Sequence, residues 1–539
     1  SRSSSLPLRR HSVIHFAMTS VAATVSRAAV PPGSRKRVVV VGGGVGGLAT
    51  AGRLAAAGGY NVTVLEKNSQ VGGRLQSTTL DGYRFDTGPS LLLFKDKYEE
   101  AFRAMGSELQ DYTRVRRVGP AAYRVFFGSD KSSLDLLYDV QTMFQQLEGV
   151  EPGAGGKYLE FLAEARAALE LGTENFIERD FDSLTDFLDL SAVLPLLSRV
   201  SAAELLAPHA SRMARRFKDP RIRAMFTFQD LYVGLSPYNA PGVFSLLAAT
   251  ELTDGVWYPE GGFGTVRDGL KDAAEKNGVQ IEYGAEVSKI REVDGRVTGV
   301  ALQDGRTVPA DIVVCNRDVC KAYQLLQTDH GRSEARRTEA LEYSAGVVAF
   351  NWCMDRQLPH LQHHNIFLSG QYEQSWERAK SRGSMLQHPN FYVHVPSRTD
   401  PSAAPDGKDS VMVLLPVANM QERGGDKDYA DIVEGGREAV LSTLESHGVR
   451  SIREAITREA VIDPQEWEER YALAHGAAFG LSHGLSQLAV FRPGVSDPAV
   501  RGLYFCGASA RPGNGVPLVL IGSKLASQKI LKDVEAGAV

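Results

Sequence analysis

The chain has 539 residues, of which 43% are apolar and 23% charged, with a formal net charge of −4. That length calls for two or three domains around separate cores, and the composition is that of a soluble globular protein with no expected nucleic-acid partner. No run of eighteen apolar residues offers a spanning helix. The four cysteines, Cys315, Cys320, Cys353 and Cys506, show no C-x-x-C spacing, so buried thiols and no metal centre are expected.

In chain order, the first 37 residues hold Arg2, Arg9, Arg10, Arg27, Arg35, Lys36 and Arg37, many serines and alanines, and no acid; the first carboxylate is Glu66. Such a leader reads as an organelle transit peptide or, on the plainer reading, a disordered basic tail.

A four-valine run, Val38 to Val41, has the composition of a buried parallel strand. "GGGVGGLATAGRLAAAGG" follows, then "NVTVLEK". This is a strand, glycine turn, helix and strand, with G-x-G-x-x-G at Gly42, Gly44 and Gly47 and an acid, Glu66, closing the second strand. The spacing predicts a dinucleotide site. Glycines allow a tight turn and close approach of the backbone to pyrophosphate, the helix N-terminus faces the phosphates, and the acid binds a ribose hydroxyl pair. The predicted contacts here are Gly42, Gly43, Gly44, Val45, Gly46, Gly47, Glu66 and Lys67. Two further loops, around Gly73-Arg74 and around Thr87-Gly88-Pro89-Ser90, offer second approaches, which suits extended FAD better than NAD.

Residues 134–205 read mostly as helices. Within them "FLDLSAVLPLLSRVSAAELLA" (residues 187–207) is leucine-rich and broken by Pro195. It reads either as helices closing a pocket or as an amphipathic element lying in a membrane interface. The nearby basic run "RMARRFKDPRIR" (residues 212–223) meets lipid phosphates or is a solvated helical face. Residues 255–316 return to helix, strand and a meander punctuated by Asp294-Gly295 and Asp304-Gly305, with Glu286 and Val287 near the adenosine end. Residues 345–416 contain alternating runs that predict a separate mixed sheet, and 429–444 a helix. Finally "LYFCGASARPGNGVPLVL" (residues 503–520) is a second strand, glycine turn and helix, presenting Cys506, Gly507, Val516 and Pro517 to the far end of the cofactor.

The expected organisation is α/β plus mixed: a leader (1–37), a Rossmann-like FAD-binding domain assembled from discontinuous segments (38–130, 255–320 and 495–539), a helical substrate region (131–254), and a mixed-sheet substrate domain (321–494).

The segments "GYRFDTGPSLLL", "DPRIRAMFTFQDLYVGLSP", "GVWYPEGGFGTV", "LQHHNIFL", "AFGLSHGLSQLAVFRP" and "LYFCGASARPGNGVP" together resemble the bacterial and fungal type phytoene desaturases, within the amine-oxidase-like flavoproteins, in that family's order. The resemblance spans nearly all of residues 38–539. It implies a helical membrane-associating part, a long apolar carotenoid substrate, peripheral membrane attachment, and quinone or oxygen as electron acceptor. With the acid-free leader it fits a plastid protein. The family's His-Pro-Gly-Ala-Gly turn is replaced here by Arg511-Pro512-Gly513-Asn514-Gly515, which makes Arg511 the first catalytic candidate. His363 and His364, and Arg179 with Asp180, are further polar candidates; the plainer readings are core hydrogen bonds and an ion pair. Besides desaturation, three alternatives stand: a redox-neutral carotenoid isomerase or hydratase, a non-enzymatic carotenoid-binding or assembly protein, and an amine oxidase, which the middle segments disfavour.

Overall fold

A computed structural model describes residues 35–181 and 205–539. Most of the basic leader and of the leucine-rich stretch 187–207 lie outside the described residues.

Val38, Val39, Val40 and Val41 are all buried because their strand, Lys36–Val41, occupies the middle of a five-stranded sheet. Its order is Leu503–Phe505, Ile312–Cys315, Lys36–Val41, Tyr60–Glu66, Gln280–Tyr283, and every neighbouring pair is parallel. A central parallel strand is covered on both faces, so an unbroken apolar run replaces alternation. The sheet is stitched from remote stretches: Val313 pairs with Val39 on one side and with Leu503 on the other. The helix Val45–Ala57 lies against Phe263–Lys276 and Val516–Glu535. A three-stranded antiparallel meander, Val287–Val293, Arg296–Leu302 and Thr307–Pro309, turns where Asp294, Gly295 and Gly305 take positive φ (52°, 70° and 88°).

The second large sheet has seven strands in the order Ile456–Ile462, Gly346–Met354, Ser410–Val417, Phe391–His394, His364–Leu368, Ala121–Phe127, Ser133–Leu137. Two of these strands depart from expectation. Ala121–Phe127 falls within the stretch assigned to the cofactor domain, and Ser133–Leu137 opens the stretch read as helical. Their place is decided by a parallel pairing with His364–Leu368, about 240 residues away, which no local pattern announces. Successive side chains divide the sheet's faces. Phe126, Phe367 and Phe391 face a core closed by the helix Ala430–Ser446. Tyr123, Val125, Ile366, Leu368 and Tyr392 face the other way, toward Phe226 and Phe228.

The basic run 212–223 is largely consumed by intramolecular pairing. Arg212 and Arg216 both reach Glu164 (2.9 and 2.7 Å), and Arg221 binds Asp219 and Asp130 (2.8 and 2.9 Å). Arg212 is buried and also donates to the Gly242 carbonyl and Ser245. These three guanidinium groups brace the helical region rather than forming a free cationic face. Among the described residues, no helix is long and apolar enough to cross a membrane.

Candidate active site

The first glycine turn is tight because the chain leaves no room for side chains. Gly42 adopts φ 95° and its N–H donates to the Leu65 carbonyl (2.8 Å). A Cβ on Gly47 would lie 2.2 Å from the Gly42 carbonyl oxygen; one on Gly46 would lie 2.8 Å from Asn316 Oδ1 and 3.1 Å from the Gly507 nitrogen. One on Gly44 would lie 2.8 Å from Asn316 Nδ2. Both glycine turns therefore close on one side chain, Asn316, at the end of the strand Ile312–Cys315. Its amide donates to the Gly42 carbonyl (3.2 Å) and its Oδ1 accepts from the Cys506 thiol (3.5 Å). Sequence reading missed Asn316; the signal available was an amide directly after a four-residue buried strand.

A cleft runs from this junction along the ends of the parallel strands. It is lined by Gly42, Gly44, Val45, Gly46, Glu66, Lys67, Gly73, Arg74, Thr87, Gly88, Pro89, Glu286, Val287, Gly507 and Val516, all predicted, together with Asn68, Asn316, Arg317, Phe479 and Asn514. The buried Glu66 carboxylate accepts from the backbone nitrogens of Gly43 (2.8 Å) and Asn68 (2.9 Å), which fixes it at the cleft wall. Lys67 reaches the Glu469 carbonyl (2.7 Å), and burial lowers its pKa. Arg74 donates to the Ala478 carbonyl and is likewise pulled down by burial. A Cβ on Gly88 would overlap the Arg74 carbonyl oxygen at 1.8 Å, so these two loops meet backbone to backbone. An elongated cleft with a helix N-terminus at its glycine-lined middle, an acid at one end and a backbone-rich turn at the other fits a dinucleotide.

Other predicted contacts sit behind the lining. Gly43 and Gly47 pack the turn from within, and Pro517 lies in the first turn of the last helix. Cys506 is buried in the core beneath the parallel sheet, its thiol pKa raised by burial, and is a packing residue rather than a contact. Ser90 accepts a hydrogen bond from the Tyr392 hydroxyl (2.8 Å), on the side away from the cleft.

The catalytic candidates move further from expectation. Arg511 does not line the cleft: its guanidinium pairs with Asp180 (2.8 Å) and donates to the Phe181 carbonyl, while the next residues, Asn514 to Val516, reach the lining instead. Asp180 thus pairs with a residue 331 positions away, and Arg179 is exposed. His363 and His364 are buried together with His394, a partner invisible in sequence, with donor atoms of all three within 4.8 Å of one another. Burial first, then the closeness of the rings to one another, holds all three pKa values well below the ordinary range, with a smaller push from Arg398 on His363 and from Arg84 on His394. His364 Nδ1 lies 2.7 Å from the Tyr392 hydroxyl, so the histidines brace that tyrosine.

Tyr392 belongs to a second cavity of about 810 Å3, with Phe228, Leu231, Tyr232, Leu235, Ile366, Leu368, Trp376 and Met385 among its lining. One residue layer separates it from the cleft: Asn514, on the cleft, donates its side-chain amide to the backbone carbonyl of Tyr232, on the cavity (2.8 Å).

The family model described as flavin containing amine oxidoreductase matches residues 45–531. A phytoene desaturase of Phycomyces blakesleeanus is 39% identical over 504 residues, covering 92% of this chain and 85% of its own. A zeta-carotene-forming phytoene desaturase of Myxococcus xanthus is 38% identical, covering 94% and 95%. Among solved structures, an oxidoreductase from Methanosarcina mazei shares the fold, with a TM-score of 0.58 at 20% identity over 92% of this chain and all of its own. With the cleft, the cavity and these matches together, the chain belongs to the flavin-containing amine oxidoreductases and, among them, to the phytoene desaturases.

Proposed function

We propose that the protein is an FAD-dependent carotenoid desaturase, removing hydrogen from adjacent carbons of phytoene or a related long polyene. The observation that carries this reading is the pairing of a glycine-built dinucleotide cleft with a second cavity, one residue layer behind it, whose wall includes Phe228, Leu231, Ile366, Leu368 and Trp376. FAD, when bound, accepts hydride; the protein's contribution is binding, orientation and exclusion of water. The N-terminus of the helix Val45–Ala57 receives the pyrophosphate, Glu66 the adenosine ribose, and the turn Gly507 to Val516 the ring end. A hydrocarbon offers no charge for recognition, so Phe228, Ile366, Leu368 and their neighbours hold it by shape.

The electrons leave to quinone or oxygen, and the protein works at a membrane surface, where so oily a substrate resides. Support for the membrane comes from the leucine-rich stretch 187–207 and the substrate class. Plastid targeting rests on the acid-free leader and is tested by following a leader–reporter fusion in cells. Flotation with anionic vesicles tests attachment: a protein left wholly in the soluble fraction at low salt removes that part of the reading.

The reaction is tested by anaerobic incubation of the flavin-loaded enzyme with phytoene and its partly desaturated products. Stoichiometric bleaching of the flavin beside a longer chromophore is expected. Geometric isomers formed without bleaching would favour a redox-neutral isomerase.

A further inference from the structure

The desaturation just proposed releases a proton as well as a hydride, and no residue of the cleft has been assigned to receive it. Behind the cavity wall lies a carboxylate that the site description has not used. Glu251 is fully buried, in a π-helical turn, Thr250–Asp254, that follows the short helix Leu246–Ala249. Turns of this kind are rare and recur at functional sites. Its Oε1 accepts from the Tyr123 hydroxyl (2.9 Å) and its Oε2 from Gln229 Nε2 (3.0 Å). Neither partner is a cation. The Tyr123 hydroxyl in turn accepts from the Tyr232 hydroxyl (3.0 Å), and Tyr232 lines the cavity. The same Tyr232 is held through its backbone carbonyl by Asn514 of the flavin cleft. The chain of donors therefore runs one way: cavity, Tyr232, Tyr123, Glu251.

Resting on the desaturase reading, we propose that Glu251 is the proton acceptor of the reaction, reached from the polyene through the hydroxyls of Tyr232 and Tyr123. Hydride departs from one carbon to the flavin, leaving an allylic cation. A C–H bond on the adjacent carbon then breaks, its electron pair forming the new double bond. The proton passes to the Tyr232 oxygen while the Tyr232 proton moves to Tyr123 and the Tyr123 proton to Glu251. The tyrosines end neutral, each having gained and lost one proton, and Glu251 ends as the neutral acid. When the quinone or oxygen acceptor takes the hydride's two electrons and proton from the flavin, it takes up a second proton as well, equivalent to the one held by Glu251, so no net proton is released over the cycle.

The groups around this relay suit a proton acceptor. Burial, the largest influence, raises the Glu251 pKa to about 7, against the lowering effect of hydrogen bonds from Gln229, Tyr123 and Tyr232. Tyr138 and Tyr392 are the other titratable neighbours of the network, and burial raises both of them, so they remain neutral. Arg117, beside Tyr138, is stacked on the face of that ring at 3.8 Å. His364, 5.5 Å from the Tyr123 ring, is held neutral. A carboxyl poised near neutrality is what general-base work requires.

The test uses flavin-loaded full-length enzyme with phytoene in liposomes, reading anaerobic single-turnover bleaching and product between pH 5.5 and 8.5. The wild-type rate should rise about tenfold per unit below pH 7 and level off above. Glu251→Gln should form the longer chromophore about 100-fold more slowly, with a flat pH profile for product formation, while retaining its flavin spectrum. If that variant does not fold, Tyr232→Phe, which removes one hydroxyl from a half-buried ring, should give the same slowing. Wild-type rates in either folded variant, or slowing with an unchanged pH profile in Glu251→Gln, would overturn the relay and leave the desaturase reading intact. Product formed by the wild type without bleaching would sink both.

Discussion

Two neighbouring hollows in this protein are built on opposite plans. The flavin cleft is shaped by backbone: at glycines 44, 46, 47, 88 and 507 a Cβ would intrude on a neighbouring segment, and Gly42 and Gly73 take positive φ. The cavity beside it is shaped by side chains from strands and short helices far apart in the chain, aromatic and aliphatic ones such as Phe228, Ile366 and Leu368 on one part and Glu342, Arg378 and Glu422 on another. A cofactor with fixed phosphates and riboses is recognised by directed donors, whereas a hydrocarbon is recognised by excluded volume. The lesson is that backbone and side chains can each shape a hollow, with one residue layer, including Tyr232 and Asn514, between the two.

The contrast can be broken at its sharpest point first. Gly44→Val places a branched side chain against Asn316 and over the pyrophosphate path, and should abolish copurified flavin absorbance; a full flavin spectrum would refute the cleft assignment. Phe228→Ala should leave flavin in place yet cost about 3 kcal/mol of stability, seen as a lower melting temperature together with a changed distribution of desaturation products. A variant that keeps its product pattern would detach the cavity from the substrate.

Glu251 supplies a subtler probe. Its carboxyl pKa is raised on folding from the ordinary value near 4.5 to about 7, so the folded state binds the extra proton between those limits. The contribution of this group to stability is therefore fully present below about pH 4.5 and is lost as pH rises through 7, by about 3 kcal/mol in total. Glu251→Gln should flatten this component of a melting profile across pH; an unchanged slope would mean that the group is solvated. The smallest effect belongs to Arg511→Gln. It removes a half-buried pair with Asp180 and should cost roughly 1–2 kcal/mol, with the flavin spectrum unmoved. A shifted visible band would return Arg511 to the cofactor.

What the sequence reveals follows from the same contrast. The glycine spacing, the four-valine strand and the acid at position 66 are local rules, and Gly42, Gly44, Glu66, Gly73, Arg74, Thr87, Val287, Gly507 and Val516 indeed line one cleft. Asn316 and His394 escaped because their meaning depends on strands that pair across hundreds of residues. Arg511 and Cys506 misled for a related reason. A loop next to a cofactor has two sides, and only the backbone conformation decides that Asn514 faces inward while Arg511 turns to Asp180. Glu251 carries no local signal at all: the two tyrosines of its relay come from the strand Ala121–Phe127 and the turn Phe228–Val233.

The closure of both glycine turns on Asn316 also dictates when this protein can come into being. The strand Leu503–Phe505 joins the parallel sheet only after some 190 residues have followed its neighbour, Ile312–Cys315. During synthesis the first strand, helix and strand emerge early, yet the pocket they begin has no ring end until the helix starting at Val516 has left the ribosome. Long-range parallel pairing of this sort is slow to form and exposes unpaired edges while it waits. Flavin, binding only the completed junction, draws the finished state from that pool by mass action. The completed junction is thus the form that the cofactor stabilises, before any substrate is met.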